Sequence, residues 1–246
     1  MMTAVILAAG RGERLRPLTD NMPKPLVEVA GKSLLVYHIE ALVRAGIRDI
    51  VINHAWLGEQ IEAAIGDGSR FGASVRYSPE PAGALETGGG LLNALPLIHS
   101  DPFLVVNADI WIDEAYTALD LALRDDALAH LLLVDTPSFK AQGDFALDAQ
   151  GRVGMPSESE DSVTPALTFA GVSWLRKALF AEAMLERCHT EPVNVGSATQ
   201  LRRFGLAGLL RVAIAERRVS GSYFSGDWFD IGTIDRLEAL RARLGS

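Results

Sequence analysis

Apolar residues gather into short unbroken runs along the first half of the chain. Thr3–Ala8 (TAVILA), Ile47–Asn53 (IRDIVIN), Val75–Ser78 and Phe103–Asn107 (FLVVN) read as strands. Between them the apolar positions spread to helical spacing. Leu34–Ala45 (LLVYHIEALVRA) predicts a helix that stops at Gly46, and Glu59–Ile65 a shorter one. Gly89–Leu95 opens a third, with Thr87 as its candidate N-cap. Runs such as AVILA and FLVV lack polar alternation, as strands covered on both faces do. Strand–helix alternation of this kind predicts an α/β fold with a mainly parallel sheet and helices on both of its faces.

The texture changes past residue 110. His130–Val134 and Leu167–Leu175 read as strands, and Phe145–Val153 as a hairpin turning at DAQG. Met155–Pro165 is polar, acidic and loop-like. Helices are expected over Lys177–Arg187 and Leu206–Arg217, strands over Val219–Phe224 and Trp228–Ile231, and a closing helix over Ile234–Leu244. No internal repeat is visible, and no hexapeptide array that would build a C-terminal β-helix. No linker interrupts the chain. Residues 1–246 therefore read as one domain, with halves near 1–110 and 111–232 and a closing segment over 233–246.

With 48% hydrophobic residues in 246, the chain can bury a large core. A net charge of −8 disfavours nucleic acid as a partner, although a local cationic cluster still suits a small phosphorylated ligand. The single cysteine, Cys188, leaves no intrachain disulfide and no Cys-based zinc site. The first residues lack the basic segment and long apolar run of a signal peptide, and no stretch approaches a membrane span. The expectation is a soluble, cytoplasmic protein with no membrane partner, either a monomer or a small homo-oligomer.

Candidate chemistry begins just after the first strand, in Leu7–Leu26 (LAAGRGERLRPLTDNMPKPL). Glycines after a strand let backbone N–H groups converge on an anion. Two familiar phosphate loops fail here. After Gly10 and Gly12 the third glycine of the dinucleotide fingerprint is missing, which disfavours an oxidoreductase. Gly31-Lys32-Ser33 has Leu26 where the Walker pattern needs glycine. What remains is a glycine loop carrying Arg11, Arg14 and Arg16, then Lys24 stiffened between Pro23 and Pro25. Asp109 stands just past FLVVN, at the strand end where open α/β sheets bind ligands. By itself it reads more readily as a turn or cap residue. Asp230 follows Trp228 and Phe229 on a second apolar run.

The whole spacing, LAAG-x-G-x-R-L-x-P-L-T-x(3)-P-K-P-L, resembles the signature of the sugar-1-phosphate nucleotidyltransferases, and Trp228–Thr233 resembles that family's W-x-D-x-G-T. The resemblance spans the chain. It implies the nucleotide-diphospho-sugar transferase fold: a Rossmann-like mixed sheet flanked by helices, with a small sugar-binding lobe and here no C-terminal β-helix. It implies attack by a sugar phosphate on the α-phosphorus of a nucleoside triphosphate, with Mg²⁺ as cofactor. The attacking monoester is largely ionised at pH 7, so charge neutralisation matters more than a general base.

By the same resemblance Asp109 and Asp230 hold the metal, Arg14 meets the β- and γ-phosphates, and Lys24 meets the α-phosphate. The backbone of Leu7, Ala8, Ala9 and Gly10 would meet base and ribose, with Gly12 and Asn107 beside the nucleotide. Leu85–Gly90 (LETGGG) resembles a second base-contacting loop, which places Glu86 and Gly88 there. Gly143, Glu158 and Gly171 resemble sugar-side positions. The segment PSESED departs from the family's E-K pair by lacking lysine, so the sugar-phosphate clamp stays unassigned; Lys140, Arg202 and Arg203 are candidates by charge alone. His54 either faces the site or is a satisfied polar histidine.

Within the family, I-N-H-x-x-L-x-E-Q-I, L-E-T-G-G-G and G-D-F most resemble the N-acetylmuramate-1-phosphate uridylyltransferases, which make UDP-MurNAc in peptidoglycan recycling. That branch implies UTP and N-acetylmuramic acid 1-phosphate as substrates. Mannose-1-phosphate guanylyltransferase and glucose-1-phosphate thymidylyl- or uridylyltransferase share the glycine loop, Lys24 and Asp109, and are the neighbouring readings. A silent nucleotide-sugar sensor is a further alternative, against which the intact set Arg14, Lys24, Asp109 and Asp230 speaks.

Overall fold

The computed structural model describes residues 2–81, 85–113, 116, 123–156, 165–195 and 199–245. In chain order the longer elements of its first half are β1 (Thr3–Leu7), α1 (Leu34–Arg44), β2 (Asp49–His54), α2 (Gly58–Ile65), β3 (Ser74–Pro79), α3 (Glu86–Ala94) and β4 (Phe103–Asn107). There follow β5 (Ile110–Ile112), β6 (Ala129–Asp135), β7 (Leu167–Leu175), β8 (Glu191–Val195) and β9 (Thr199–Arg203). The last are α4 (Leu206–Ala215), β10 (Val219–Tyr223), β11 (Trp228–Asp230) and α5 (Ile234–Leu244).

Seven strands join in the order β10-β6-β7-β4-β1-β2-β3. β1 runs parallel to β2 and β4, with Val5 opposite both Val51 and Val105. Only β7 runs against its neighbours, β4 and β6, while β10 is parallel to β6. The mixed, mainly parallel sheet expected from the runs is thus present. Period-two alternation splits each strand between two cores. Ala4 and Ile6 of β1 pack with Leu35, Ile39 and Ile61 from α1 and α2. Val5 faces the other way, toward Leu91 of α3 and Leu209 of α4. A smaller third cluster joins Leu15, Trp111 and Ile231 to Leu237 and Leu240 of α5. The closing helix therefore braces the glycine loop at the start of the chain.

Several expectations are corrected. Thr87 is not the cap of α3, which starts one residue earlier at Glu86 with Leu85 as N-cap. The Thr87 hydroxyl instead accepts from the Leu206 amide at 2.9 Å, tying α3 to the start of α4. The helix expected over 177–187 is broken. A 3-10 turn (Lys177–Phe180) and one α turn (Glu182–Leu185) meet at an extended Ala181, which lets Leu179, Phe180, Met184 and Leu185 all reach the core. The sequence gives no sign of the hairpin of β8 and β9, whose polar residues hide the alternation, nor of β5, which at three residues is too short to show a period. The hairpin turning at Asp148–Gly151 is present, pairing Ala146–Leu147 with Val153–Gly154. Much of the acidic loop over 157–164 lies outside the described residues.

Candidate active site

In the sheet, β2 and β3 lie on one side of β1 and β4 lies on the other. The chain reverses its lateral direction between β1 and β4, and such a switch point opens a crevice at the carboxyl ends of the strands. A cleft of about 560 Å³ sits there. Leu7, Ala8, Ala9, Gly10 and Gly12 form its first wall, and Asn107 and Asp109 the facing one. Arg14, Lys24 and Glu86 also reach it. The wall is held by Asn53, whose Oδ1 accepts from the Ala8 amide at 2.7 Å, and by the Ala108 amide, which donates to the Leu7 carbonyl at 3.0 Å.

The three loop arginines separate by role. Arg11 lies over the Trp56 ring at 3.7 Å and donates to the Thr19 carbonyl at 2.7 Å, so it braces the loop. Arg16 is tied to Asp20 at 2.5 Å and is exposed. Arg14 has no ion-pair partner among the described residues and borders both the main cleft and the cavity beside it. Gly12 adopts a left-handed φ of 69°, and a Cβ there would lie 3.0 Å from Cβ of Lys24. The missing side chain is what lets Lys24 lie against the loop. Lys24 is 7% exposed, and its ammonium donates to Asp109 Oδ2 at 2.5 Å.

Asp109 and Asp230 come together through backbone. β5 and β11 pair antiparallel with Asp230 opposite Ile110, and the Ile231 amide donates to the Asp109 carbonyl at 2.8 Å. Both carboxylates border one cavity of about 370 Å³. Each is held through a single oxygen, Asp109 by Lys24 and Asp230 by Arg236 Nη1 at 2.8 Å. Two partly exposed carboxylates on one cavity are the oxygen donors that magnesium prefers, with phosphate oxygens and water completing the set. The pair fits that ion. Gly232 is required by the same crowding: a Cβ there would lie 2.3 Å from Arg236 Nη2 and 2.9 Å from Arg14 Nη2.

Glu86 and Thr87 line the main cleft, but Gly88 does not. The three glycines of LETGGG answer to packing instead. A Cβ on Gly88 would meet the Phe204 ring at 2.4 Å, one on Gly89 the Arg202 carbonyl oxygen at 2.2 Å, and one on Gly90 Glu80 Oε1 at 2.3 Å. Glu80 lies under this loop. Its two oxygens accept from Asn53 Nδ2 at 2.5 Å and the Leu85 amide at 2.7 Å. Burial raises its pKa above the usual carboxylate range, and the two hydrogen bonds oppose the rise. Asn53 and Glu80 thus link the two loops that form opposite rims of the cleft. Their signal in the sequence was only their position at the ends of β2 and β3.

The side expected to take the acceptor has two cavities. The 370 Å³ one is bordered by Asn107, Gly171 and Lys140 as well as the aspartates. Gly171 has φ +81° at a bulge in β7, where a Cβ would lie 3.1 Å from Asn107 and 3.0 Å from Ile110. Lys140 pairs with Asp144 at 2.5 Å. A second cavity, of about 260 Å³, shares Leu7, Thr87 and Asn107 with the main cleft. Gly143 lines neither; it is pressed against Ala166, while its neighbours Asp144 and Phe145 border the smaller cavity. Arg202 and Arg203 stand on β9 beside Glu182 and Glu191 and line none of the three cavities. His54 is buried, with Nε2 2.8 Å from Glu62, and is a satisfied polar histidine. Glu158 lies outside the described residues. Arg236 and Phe139, whose ring sits 4.2 Å from the Arg236 guanidinium, also border the larger acceptor cavity and carry no sequence signal of their own.

Comparison with known proteins agrees with this geometry. The family model described as Nucleotidyl transferase matches residues 3–156. The chain is 45% identical to N-acetylmuramate alpha-1-phosphate uridylyltransferase of Neisseria meningitidis serogroup B, covering 100% of this chain and 99% of that protein. It is 33% identical to the enzyme of the same name from Caulobacter vibrioides, over 98% of this chain and 96% of that one. A Bacillus anthracis structure assigned as a glucose-1-phosphate thymidylyltransferase, bound to sucrose, shares the fold with a TM-score of 0.75 at 18% identity, covering 99% of this chain and 95% of that one. The chain belongs to the nucleotidyl transferase family.

Proposed function

We propose that this nucleotidyl transferase moves the uridylyl group of UTP onto N-acetylmuramic acid 1-phosphate, giving UDP-MurNAc and pyrophosphate. The observation that carries the choice of substrates is the full-length 45% identity to the Neisseria uridylyltransferase, laid over a cleft that gathers Arg14, Lys24 and Asp109. UDP-MurNAc is a cell-wall precursor, so recycling of peptidoglycan fragments is the process this reaction would serve.

In the reaction a non-bridging oxygen of the sugar phosphate attacks the α-phosphorus of UTP. The bond from that phosphorus to the β-phosphate oxygen breaks, and pyrophosphate leaves with the electron pair. The nucleophile's second pKa is about 6, so it arrives largely ionised and no side chain need remove a proton. The chain's task is to bring two polyanions together. Leu7–Gly10 present backbone to the nucleoside, with Glu86 on the opposite rim. Arg14 spans main cleft and acceptor cavity, where a fork of donors suits the phosphates that depart. Lys24, nearly buried and aimed by its prolines, offers a point charge to the α-phosphate. Asp109 and Asp230 would hold magnesium, which when bound neutralises phosphate charge. Lys140 and Arg236 border the acceptor cavity and are placed to receive the sugar phosphate.

The test is a substrate matrix. UTP, dTTP, GTP, CTP and ATP are each paired with MurNAc-, GlcNAc-, glucose- and mannose-1-phosphate in the presence of Mg²⁺, and pyrophosphate release is read. Release confined to UTP with MurNAc-1-phosphate is expected. Preference for GTP with mannose-1-phosphate would move the protein to another branch. Nucleotide binding without release anywhere would make it a sensor.

A further inference from the structure

The smaller acceptor cavity, between β7 and α4, has walls made largely of hydrocarbon: Val105, Phe145, Phe169, Leu206 and Leu210. Two charged side chains border it. Asp144 is already satisfied, since its Oδ2 accepts from Lys140 Nζ at 2.5 Å and from the Phe169 amide at 3.0 Å. Arg211 is different. It has no ion-pair partner among the described residues, and it shares with Leu206, Ala207 and Leu210 the helix face that forms the cavity wall. Those four positions fall within an arc of about 140° at 3.6 residues per turn. An apolar pocket with one uncommitted guanidinium suits a ligand group that is part hydrocarbon and part carboxylate. The cations of the neighbouring cavity, Lys140 and Arg236, do not line this one, so Arg211 is the one cation among its described lining residues.

N-acetylmuramic acid differs from N-acetylglucosamine by a lactyl ether at C3, which adds a methyl group and a carboxylate. We infer that Arg211 is the residue that selects the sugar, pairing with the lactyl carboxylate while the methyl group lies among the apolar walls of this cavity. The inference rests on N-acetylmuramic acid 1-phosphate being the acceptor. It explains how the family's general machinery, which handles the phosphates, is joined to a separate point of discrimination. The cavity shares Asn107 and Phe169 with the one placed for the sugar phosphate, so a sugar held there by its phosphate can reach into it with a ring substituent.

The experiment compares wild type, Arg211→Gln and Arg211→Lys, with UTP and Mg²⁺, on MurNAc-1-phosphate and on its lactyl carboxamide. Arg211→Gln should lower kcat/KM for the acid about tenfold or more, mostly through KM, because a charge-assisted pair is lost. The amide should fall by less than about twofold, since it never made that pair. Arg211→Lys should recover part of the loss on the acid alone. A thermal shift with UTP reports that each variant is folded and binds nucleotide. Equal losses on acid and amide, or no loss on either, would overturn the role of Arg211. Failure of the acceptor assignment shows separately, in the wild-type arm: if wild type uses another sugar phosphate and not MurNAc-1-phosphate, that reading falls and this inference falls with it.

Discussion

At the residue scale the site depends on one ion pair with unequal surroundings. The Lys24 side chain is 9% exposed and that of Asp109 is 40% exposed, so the lysine depends on the aspartate more than the reverse. Asp109→Asn should keep the fold and lower turnover by about 10³-fold or more, if the carboxylate positions the metal as proposed. Asp109→Ala should lose activity and also about 1–2 kcal/mol of stability, as Lys24 is left nearly buried with neither a counter-charge nor the acceptor oxygen that Asn would keep. Lys24→Met keeps the hydrocarbon stem against Gly12 and removes only the charge. Turnover should fall by about 10²-fold while UTP still binds. Steady-state kinetics with isothermal calorimetry separate these outcomes. Unaltered turnover in Asp109→Asn would remove that residue from the metal site.

At the element scale the glycines do two different jobs, and substitutions tell them apart. Gly89 sits where α3 meets β9, with the Arg202 carbonyl oxygen 2.2 Å from any Cβ it might carry. Gly89→Ala should push helix and hairpin apart and cost about 2 kcal/mol, read as a lowered melting temperature. Gly10 has open space around it and no left-handed φ. Gly10→Ala should leave stability within about 0.5 kcal/mol. It should nevertheless weaken UTP, because the new methyl group would stand in the cleft where nucleotide meets backbone. Unchanged UTP affinity in Gly10→Ala would take that loop away from the nucleoside. The same contrast shows how much the motif revealed. LETGGG marked a loop at the site, but no local pattern showed that its three glycines make room for Phe204, Arg202 and Glu80.

At the scale of the molecule, the halves divided near residue 110 share one sheet. β4 from the first is paired along its length with β7 from the second, antiparallel, with Val106 opposite Val172. Cutting the chain there would leave β4 with an unpaired edge and would open the core on both faces. We therefore expect one cooperative unfolding transition, with tryptophan fluorescence and far-ultraviolet circular dichroism coinciding. Trp56 reports on the first half, and Trp111, Trp174 and Trp228 on the second. UTP with Mg²⁺ at about 100 times its Kd should move that single transition by about 2.7 kcal/mol. Two transitions, with only one moved by UTP, would make the halves independent domains.

The amino-acid sequence by itself determined the strand runs, the parallel α/β order, the glycine loop and the aimed Lys24, because those rest on local patterns: apolar spacing, glycine, and proline on either side of a charge. It also determined where Asp109 stands, since a carboxylate directly after a buried strand has one end of the sheet to occupy. Only the tertiary structure decided which cleft arginine stays uncommitted: Arg11 and Arg14 both line the cleft, but Trp56 and Thr19 hold Arg11, while Asp20 ties Arg16 outside it. It alone brought Asp230 beside Asp109 through a two-strand ladder, and set Arg236 and Gly232 around them. It also turned His54 and Arg202 away from the site. Those choices depend on contacts between residues far apart in the chain, and neither spacing nor propensity carries that information.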